Sequence, residues 1–163
     1  MVLLDLQLSA ELDGVTELKP VGEDFLWNFK IKCNSCDEVT ENFVTIDAEE
    51  EVSKSGKPTK SKANFVMRCK FCRREGSIGI EAGPFAYTVE SNGQLARVLT
   101  MDCRGLEPVE FDPCGRWEAV GTESNTPFAF ELEEGMWSDY DEKKDTPVMI
   151  SEIGHKFVVH AKS

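Results

Sequence analysis

Two short stretches hold the residues best suited to chemistry: CNSC at 33–36 and CKFC at 69–72. Each places two thiols on either side of two intervening residues. Tetrahedral zinc takes four soft donors at about 2.3 Å from the ion. A CxxC turn delivers two thiolates from one tight loop, and its backbone N–H groups can point at the sulfurs. Thirty-two residues separate Cys36 from Cys69. That is enough for two strands and a loop that brings the second turn back to the first. The spacing predicts one structural zinc ion per chain, held by Cys33, Cys36, Cys69 and Cys72. Other chemistries use the same atoms. A thioredoxin-type pair sits at the start of a helix, and no helical pattern follows either turn. Disulfides need an oxidising compartment. Iron in an all-thiolate shell is compatible with the same donors.

Both turns follow stretches that alternate apolar and polar residues, FLWNFKIKC and NFVMRC. The same period of two runs through LDLQLSAEL, NFVTI and SIGIEA in the first half. It recurs in AYTVE, LARVLTMDC, RWEAVG, FAFELEE, PVMISEI and HKFVVH in the second. Glycine and proline punctuate these runs, and no long 3.6-residue period appears, so any helix must be short. The expected fold is all-β, with antiparallel sheets. The 163 residues fit a single domain, 1–163. LQLSAELDGVTELKPV at 6–21 and LARVLTMDCRGLEPV at 95–109 form a faint repeat. Two related β halves follow, roughly 1–86 and 87–163, with the zinc knuckles in the first. Chance likeness of two strand-turn stretches is the competing explanation.

Charge is distributed unevenly. The chain carries a net −12. Yet from Lys54 to Arg74 there are eight basic residues (Lys54, Lys57, Lys60, Lys62, Arg68, Lys70, Arg73 and Arg74) and no acid. The remaining 10 basic and 30 acidic residues net −20. Four thiolates around Zn²⁺ leave a charge of −2, which Arg68, Lys70, Arg73 and Arg74 would offset. The alternative is a surface for an anion or an acidic partner. Residues 53–62 lack apolar side chains and read as a hairpin loop. Its lysines are equally consistent with simple solvation. The acidic remainder disfavours nucleic acid and favours a protein partner.

Outside the CxxC turns the signals are weak. Cys103 and Cys114 read as small packed hydrophobes before they read as reactive thiols. His155 and His160 stand five apart, on opposite faces of a strand, which disfavours a shared ion. WSDYDEKKD at 137–145 lacks the glycine and distal glutamate of a calcium loop and reads as a solvated turn, with Trp137 and Tyr140 inward. Phe65 and Phe71 stand near the basic segment, in strand context that favours burial. No phosphate loop, dinucleotide fingerprint or nucleophile elbow is present. The opening MVLLDLQLSAEL lacks the basic start and cleavage site of a secretory leader. No apolar run approaches membrane-spanning length. The expected location is the cytoplasm, with access to the nucleus.

LKPVGEDFLW (18–27), CNSC, CKFC, CRGLEPVEFDP (103–113) and WSDYDE (137–142), in this order, resemble the eukaryotic CXXC motif-containing zinc-binding protein family. The resemblance spans nearly the whole chain. It implies a small, mostly β protein with zinc on Cys33, Cys36, Cys69 and Cys72. It supplies no catalytic residues. The reading is therefore a non-enzymatic, cytosolic, zinc-binding adaptor or metal-handling accessory. Two alternatives stand beside it. One is an oxidoreductase of the methionine sulfoxide reductase kind, with structural zinc and a reactive Cys103 or Cys114. The other is RNA or phosphate binding through residues 54–74.

Overall fold

Alternation in the sequence becomes an antiparallel all-β architecture in the computed structural model, which describes residues 2–22, 25–49, 63–132 and 135–160. In chain order the strands are β1 (Val2–Asp13), β2 (Val15–Pro20), β3 (Leu26–Cys33), β4 (Val44–Asp47), β5 (Phe65–Arg68) and β6 (Glu75–Ala82). They continue as β7 (Ala96–Arg104), β8 (Leu106–Asp112), β9 (Arg116–Gly121), β10 (Pro127–Glu131), β11 (Trp137–Asp141) and β12 (Thr146–Val159). One sheet runs in the order β11-β12-β1-β7-β6-β5, and two smaller ones run β10-β9-β2 and β4-β3-β8. The expected hairpin loop 53–62, with Lys54, Lys57, Lys60 and Lys62, lies wholly outside the described residues.

Exchanging β1–β6 with β7–β12 returns the same three sheets. The correspondence holds residue by residue. Cys33 faces Leu106 across β3–β8 as Gly121 faces Val15 across β9–β2. Ser77 faces Arg104 across β6–β7 as Met149 faces Asp13 across β12–β1. The ion pair Lys30–Glu110 reappears with its polarity reversed as Glu118–Lys19. The repeated sequence falls on β1–Gly14–β2 and β7–Gly105–β8. Both glycines have positive φ, 78° and 73°, a region only glycine enters without steric cost.

The core lies between the large sheet and the two small ones. Leu6 and Leu8 of β1 and Leu99 and Met101 of β7 are buried in one hydrophobic cluster with Trp27, Phe29 and Ile31 of β3 and Trp117 of β9. Phe25 joins the two halves, its ring 5.0 Å from Trp27 and 5.4 Å from Trp117.

Three local expectations need correction. AYTVE is not a strand: Tyr87 makes one bridge, to Leu18, and Val89–Ser91 turn as a 3₁₀ helix. The Tyr87 hydroxyl organises this turn, lying 2.5 Å from Ser91 O, 2.7 Å from Gln94 O and 3.2 Å from Ala10 O. WSDYD is strand β11 rather than a turn, and Tyr140 is exposed while Trp137 stacks on Phe130 at 4.0 Å. PVMISEI and HKFVVH form one continuous strand, β12, with a register shift opposite Ser9 and Glu11 and Glu152 at φ 53°. Strands β2 and β8 were hidden in the sequence by Pro20 and Pro108.

Candidate metal centre

The two CxxC turns are the same structure twice. In the first, Cys33 N–H donates to Glu38 O at 2.9 Å and Asp37 N–H to Cys33 O at 2.8 Å. In the second, Cys69 N–H donates to Arg74 O at 3.0 Å and Arg73 N–H to Cys69 O at 2.9 Å. The residue after each second cysteine, Asp37 and Arg73, has φ 64° in both. This tight return turns the leading N–H groups of each loop inward onto its first sulfur.

The first knuckle joins β3 to β4 and the second joins β5 to β6, and the fold sets them face to face. The Sγ atoms of Cys33, Cys36, Cys69 and Cys72 all lie within 4.8 Å of one another. Across the knuckles, Cys33 and Cys72 are 3.6 Å apart and Cys36 and Cys69 3.5 Å. These are not disulfides, whose sulfurs stand at about 2.05 Å. They match the edge of about 3.8 Å of a tetrahedron with zinc–sulfur bonds of about 2.3 Å. Cys33 and Cys69 are buried, and Cys36 and Cys72 half-buried.

The thiols are electrostatically unequal. Backbone N–H groups of Ser35 and Cys36 hold Cys33 below its ordinary value. Those of Cys72 and Phe71 bring Cys69 down to about 6. Cys36 accepts the Glu38 N–H, but burial and the thiols of Cys69, Cys33 and Cys72 outweigh it and push Cys36 up to about 12. Four sulfurs this close cannot all ionise unaided. A divalent soft cation removes that conflict by replacing the retained protons, so the donor set fits zinc.

The other sequence candidates stand apart from this cluster. Cys103 is buried on β7 and its thiol is pushed up to about 12 by burial, then by Asp102 and Glu107. It occupies the place that Leu12 holds in the other half, each at the same step of an equivalent strand pair. Cys114 is exposed, accepts the Asn28 side-chain N–H at 3.1 Å, and is raised by burial and by Asp112. His155 Nε2 takes the Phe111 N–H at 3.4 Å, whereas His160 Nδ1 meets Asp5 at 2.9 Å.

A profile of the family described as CXXC motif containing zinc binding protein, eukaryotic, matches residues 5–158. The chain belongs to this family. A bovine protein of that name is 42% identical over 157 residues, covering 95% of this chain and 97% of its own. A fission yeast protein named only as a UPF0587 protein is 42% identical over 149 residues, covering 91% and 92%. The crystal structure of a protein called C1orf123 is 40% identical with a TM-score of 0.90, covering 97% of this chain and 99% of that one. A hypothetical Plasmodium falciparum protein shares the fold at 19% identity and TM-score 0.85, covering 97% and 100%.

Sequence reasoning missed what the second half does at the matching place. Gly121 N–H donates to Thr126 O at 2.9 Å and Asn125 N–H to Gly121 O at 3.1 Å, with Asn125 at φ 56°. Thr122 N–H donates to Gly14 O at 3.0 Å, as Asn34 N–H does to Gly105 O at 3.0 Å. Loop 121–126 is thus the counterpart of the first knuckle. Asp141 pairs with Thr146 and Asp145 has φ 53°, which makes 141–146 the counterpart of the second. Gly121, Ser124, Asp141 and Lys144 stand where Cys33, Cys36, Cys69 and Cys72 stand. The signal available was the spacing alone: 121 to 124 and 141 to 144 repeat the CxxC interval.

A hydrogen-bonded clasp replaces the sulfurs there. Asp141 accepts the Ser124 hydroxyl at 2.5 Å, the Thr126 hydroxyl at 3.0 Å, and the N–H groups of Lys143 and Lys144 at 3.1 and 3.3 Å. Those donors, the Ser124 hydroxyl foremost, hold its carboxyl below the usual range. Lys144 is ion-paired with Glu123.

Proposed function

We propose that this protein is a non-enzymatic adaptor or metal-handling accessory in which Cys33, Cys36, Cys69 and Cys72 hold one zinc ion. The observation that carries the reading is the convergence of four sulfurs from two matching knuckles, each aiming backbone N–H groups at its first thiol. Zinc here is structural: all four donors come from the protein, which leaves no open position for substrate. It fastens the β3–β4 loop to the β5–β6 loop. Membership of a zinc-binding family supports the choice of metal.

The non-enzymatic reading is supported by the remaining thiols. A reductase-type nucleophile needs a lowered, accessible thiol, and both Cys103 and Cys114 are shifted upward. Reduced thiols in all six cysteines suit the cytoplasm.

Elemental analysis of protein purified without added metal tests the site, with close to one zinc per chain expected. Affinity capture from a cytosolic extract, comparing wild type with the Cys69→Ser, Cys72→Ser variant, tests the adaptor role. Metal-free wild type with four titratable thiols and an unchanged fold would refute the zinc reading.

A further inference from the structure

The tip of the second knuckle carries a feature that metal binding leaves unused. Phe71 is 69% exposed, against the burial its strand-like context suggested. Around it Arg68, Lys70, Arg73 and Arg74 are also exposed. Among the described residues none of these four makes an ion pair, whereas Lys19, Lys30, Lys32 and Lys144 each find a glutamate. Free cations clustered on so acidic a chain need a reason.

Offsetting the −2 charge of a zinc–thiolate centre is one reason, and it accounts for the guanidinium and ammonium groups. It gives no account of a phenyl ring in water. The second half supplies an internal control, because it builds the same hairpin tip from other residues. Lys143 stands where Phe71 stands, and Glu142, Asp145 and Thr146 stand where Lys70, Arg73 and Arg74 stand. The one exposed aromatic on that hairpin, Tyr140, stands where Arg68 stands and is tied by its hydroxyl to Asp145, so the fold closes this turn without an aromatic at its tip and without a basic ring.

We infer that Phe71, ringed by Arg68, Lys70, Arg73 and Arg74, is a docking tip for an acidic peptide segment bearing an apolar anchor residue. The inference rests on the zinc reading, since the metal holds the knuckle in shape. The ring supplies the buried contact, and the cations supply steering and register. A short acidic segment touches only this patch. A nucleic acid strand would run on over a surface that is otherwise strongly acidic, and it would find one aromatic where single-strand binders stack successive bases.

The test uses the full-length zinc-loaded protein and a fluorescent peptide of Asp and Glu around a central Leu-Trp pair. Anisotropy should report saturable binding that weakens as salt rises. Phe71→Ala should weaken it by roughly tenfold or more, Lys70→Glu with Arg74→Glu should abolish it, and Lys143→Ala should leave it unchanged. All these side chains are exposed, so folding should survive. Zinc content measured on the same samples separates the two readings: a wild type without zinc defeats the metal site, whereas zinc-loaded protein that ignores the peptide defeats the docking tip. Equal binding by Phe71→Ala, or tighter binding of an oligouridine strand than of the peptide, would overturn the inference.

Discussion

Cys69 and Asp141 occupy one and the same position in the two halves of this molecule. Each is buried at the end of a short strand, and each receives the backbone N–H groups two and three residues ahead of it. Cys69 faces Cys36 across the loops at 3.5 Å, and Asp141 faces Ser124 at 2.5 Å. An anion-binding turn is therefore common to both tips. In one it holds a soft thiolate and closes through a shared metal. In the other it holds a hard carboxylate and closes through hydroxyl and amide donors.

Because the backbone is shared, the metal site should be transferable. Gly121 is not at positive φ, yet a Cβ there would run into the Ser124 hydroxyl and the Asp141 carboxylate. That is the direction in which a Cys33-like side chain must point. Replacing Gly121, Ser124, Asp141 and Lys144 together by cysteine removes the obstructing carboxylate, leaves the side chain at 124 to rotate toward the metal, and supplies four donors. Elemental analysis should show about one further zinc beyond wild type. Folded protein with an unchanged zinc content would refute the equivalence.

Chelation should act on one half only. Structural zinc in small peptides is worth on the order of 10–16 kcal/mol, but here most of the buried core is carried by β1, β3, β7 and β9 rather than by the knuckles. The gain should be smaller and local. Hydrogen exchange should accelerate around 33–38 and 69–74 while 121–126 and 141–146 stay protected. Uniform loss of protection in both halves would contradict a local role for the metal.

The legible part of this protein was the part with a short period or a fixed spacing. Two-residue alternation foretold β1, β3, β7 and β9, and the CxxC interval foretold which sulfurs meet. Strands β2 and β8 were obscured because each contains a proline, Pro20 and Pro108. The sheet still accepts them, since each is paired on one side in the three-stranded sheets. AYTVE read as a strand because it alternates, but a hydroxyl at its second position can gather backbone carbonyls and coil the chain instead. The exposure of Phe71 was illegible because burial in a knuckle is decided by the facing loop, which sequence spacing does not describe. Asp141 was invisible as a site because its partners, Ser124 and Thr126, lie in another hairpin.

Acid should loosen the second tip by a route the first does not use. The Asp141 carboxyl lies below its ordinary 3.8 because hydroxyl and amide donors favour its charged form. A depressed folded value means that its contribution is fully present above about pH 4. That contribution is lost as pH falls through the lowered value. Asp141→Asn should be less stable than wild type at pH 7, and the difference should narrow in denaturant titrations run toward pH 3. A gap that stays constant across that range would show that the carboxylate charge is not what the clasp uses.

Tyr87→Phe should uncouple the connection between the halves without touching either tip. The ring is fully buried, so the substitution keeps its apolar contacts. What is lost is one oxygen that accepts the Ala10 N–H at 3.2 Å and lies within hydrogen-bonding reach of the carbonyls of Ser91 and Gln94. A buried group left without its partner costs about 1–3 kcal/mol. In a chain of this size that lowers Tm by roughly 2–4 °C per kcal/mol. The 3₁₀ turn at Val89–Ser91 has no side-chain cap of its own, so its amides should exchange faster in the variant. Zinc content should remain that of wild type, because the turn lies on the β6–β7 connection and not in either knuckle. A variant with unchanged Tm and unchanged exchange at residues 89–94 would show that the hydroxyl is not what coils this segment.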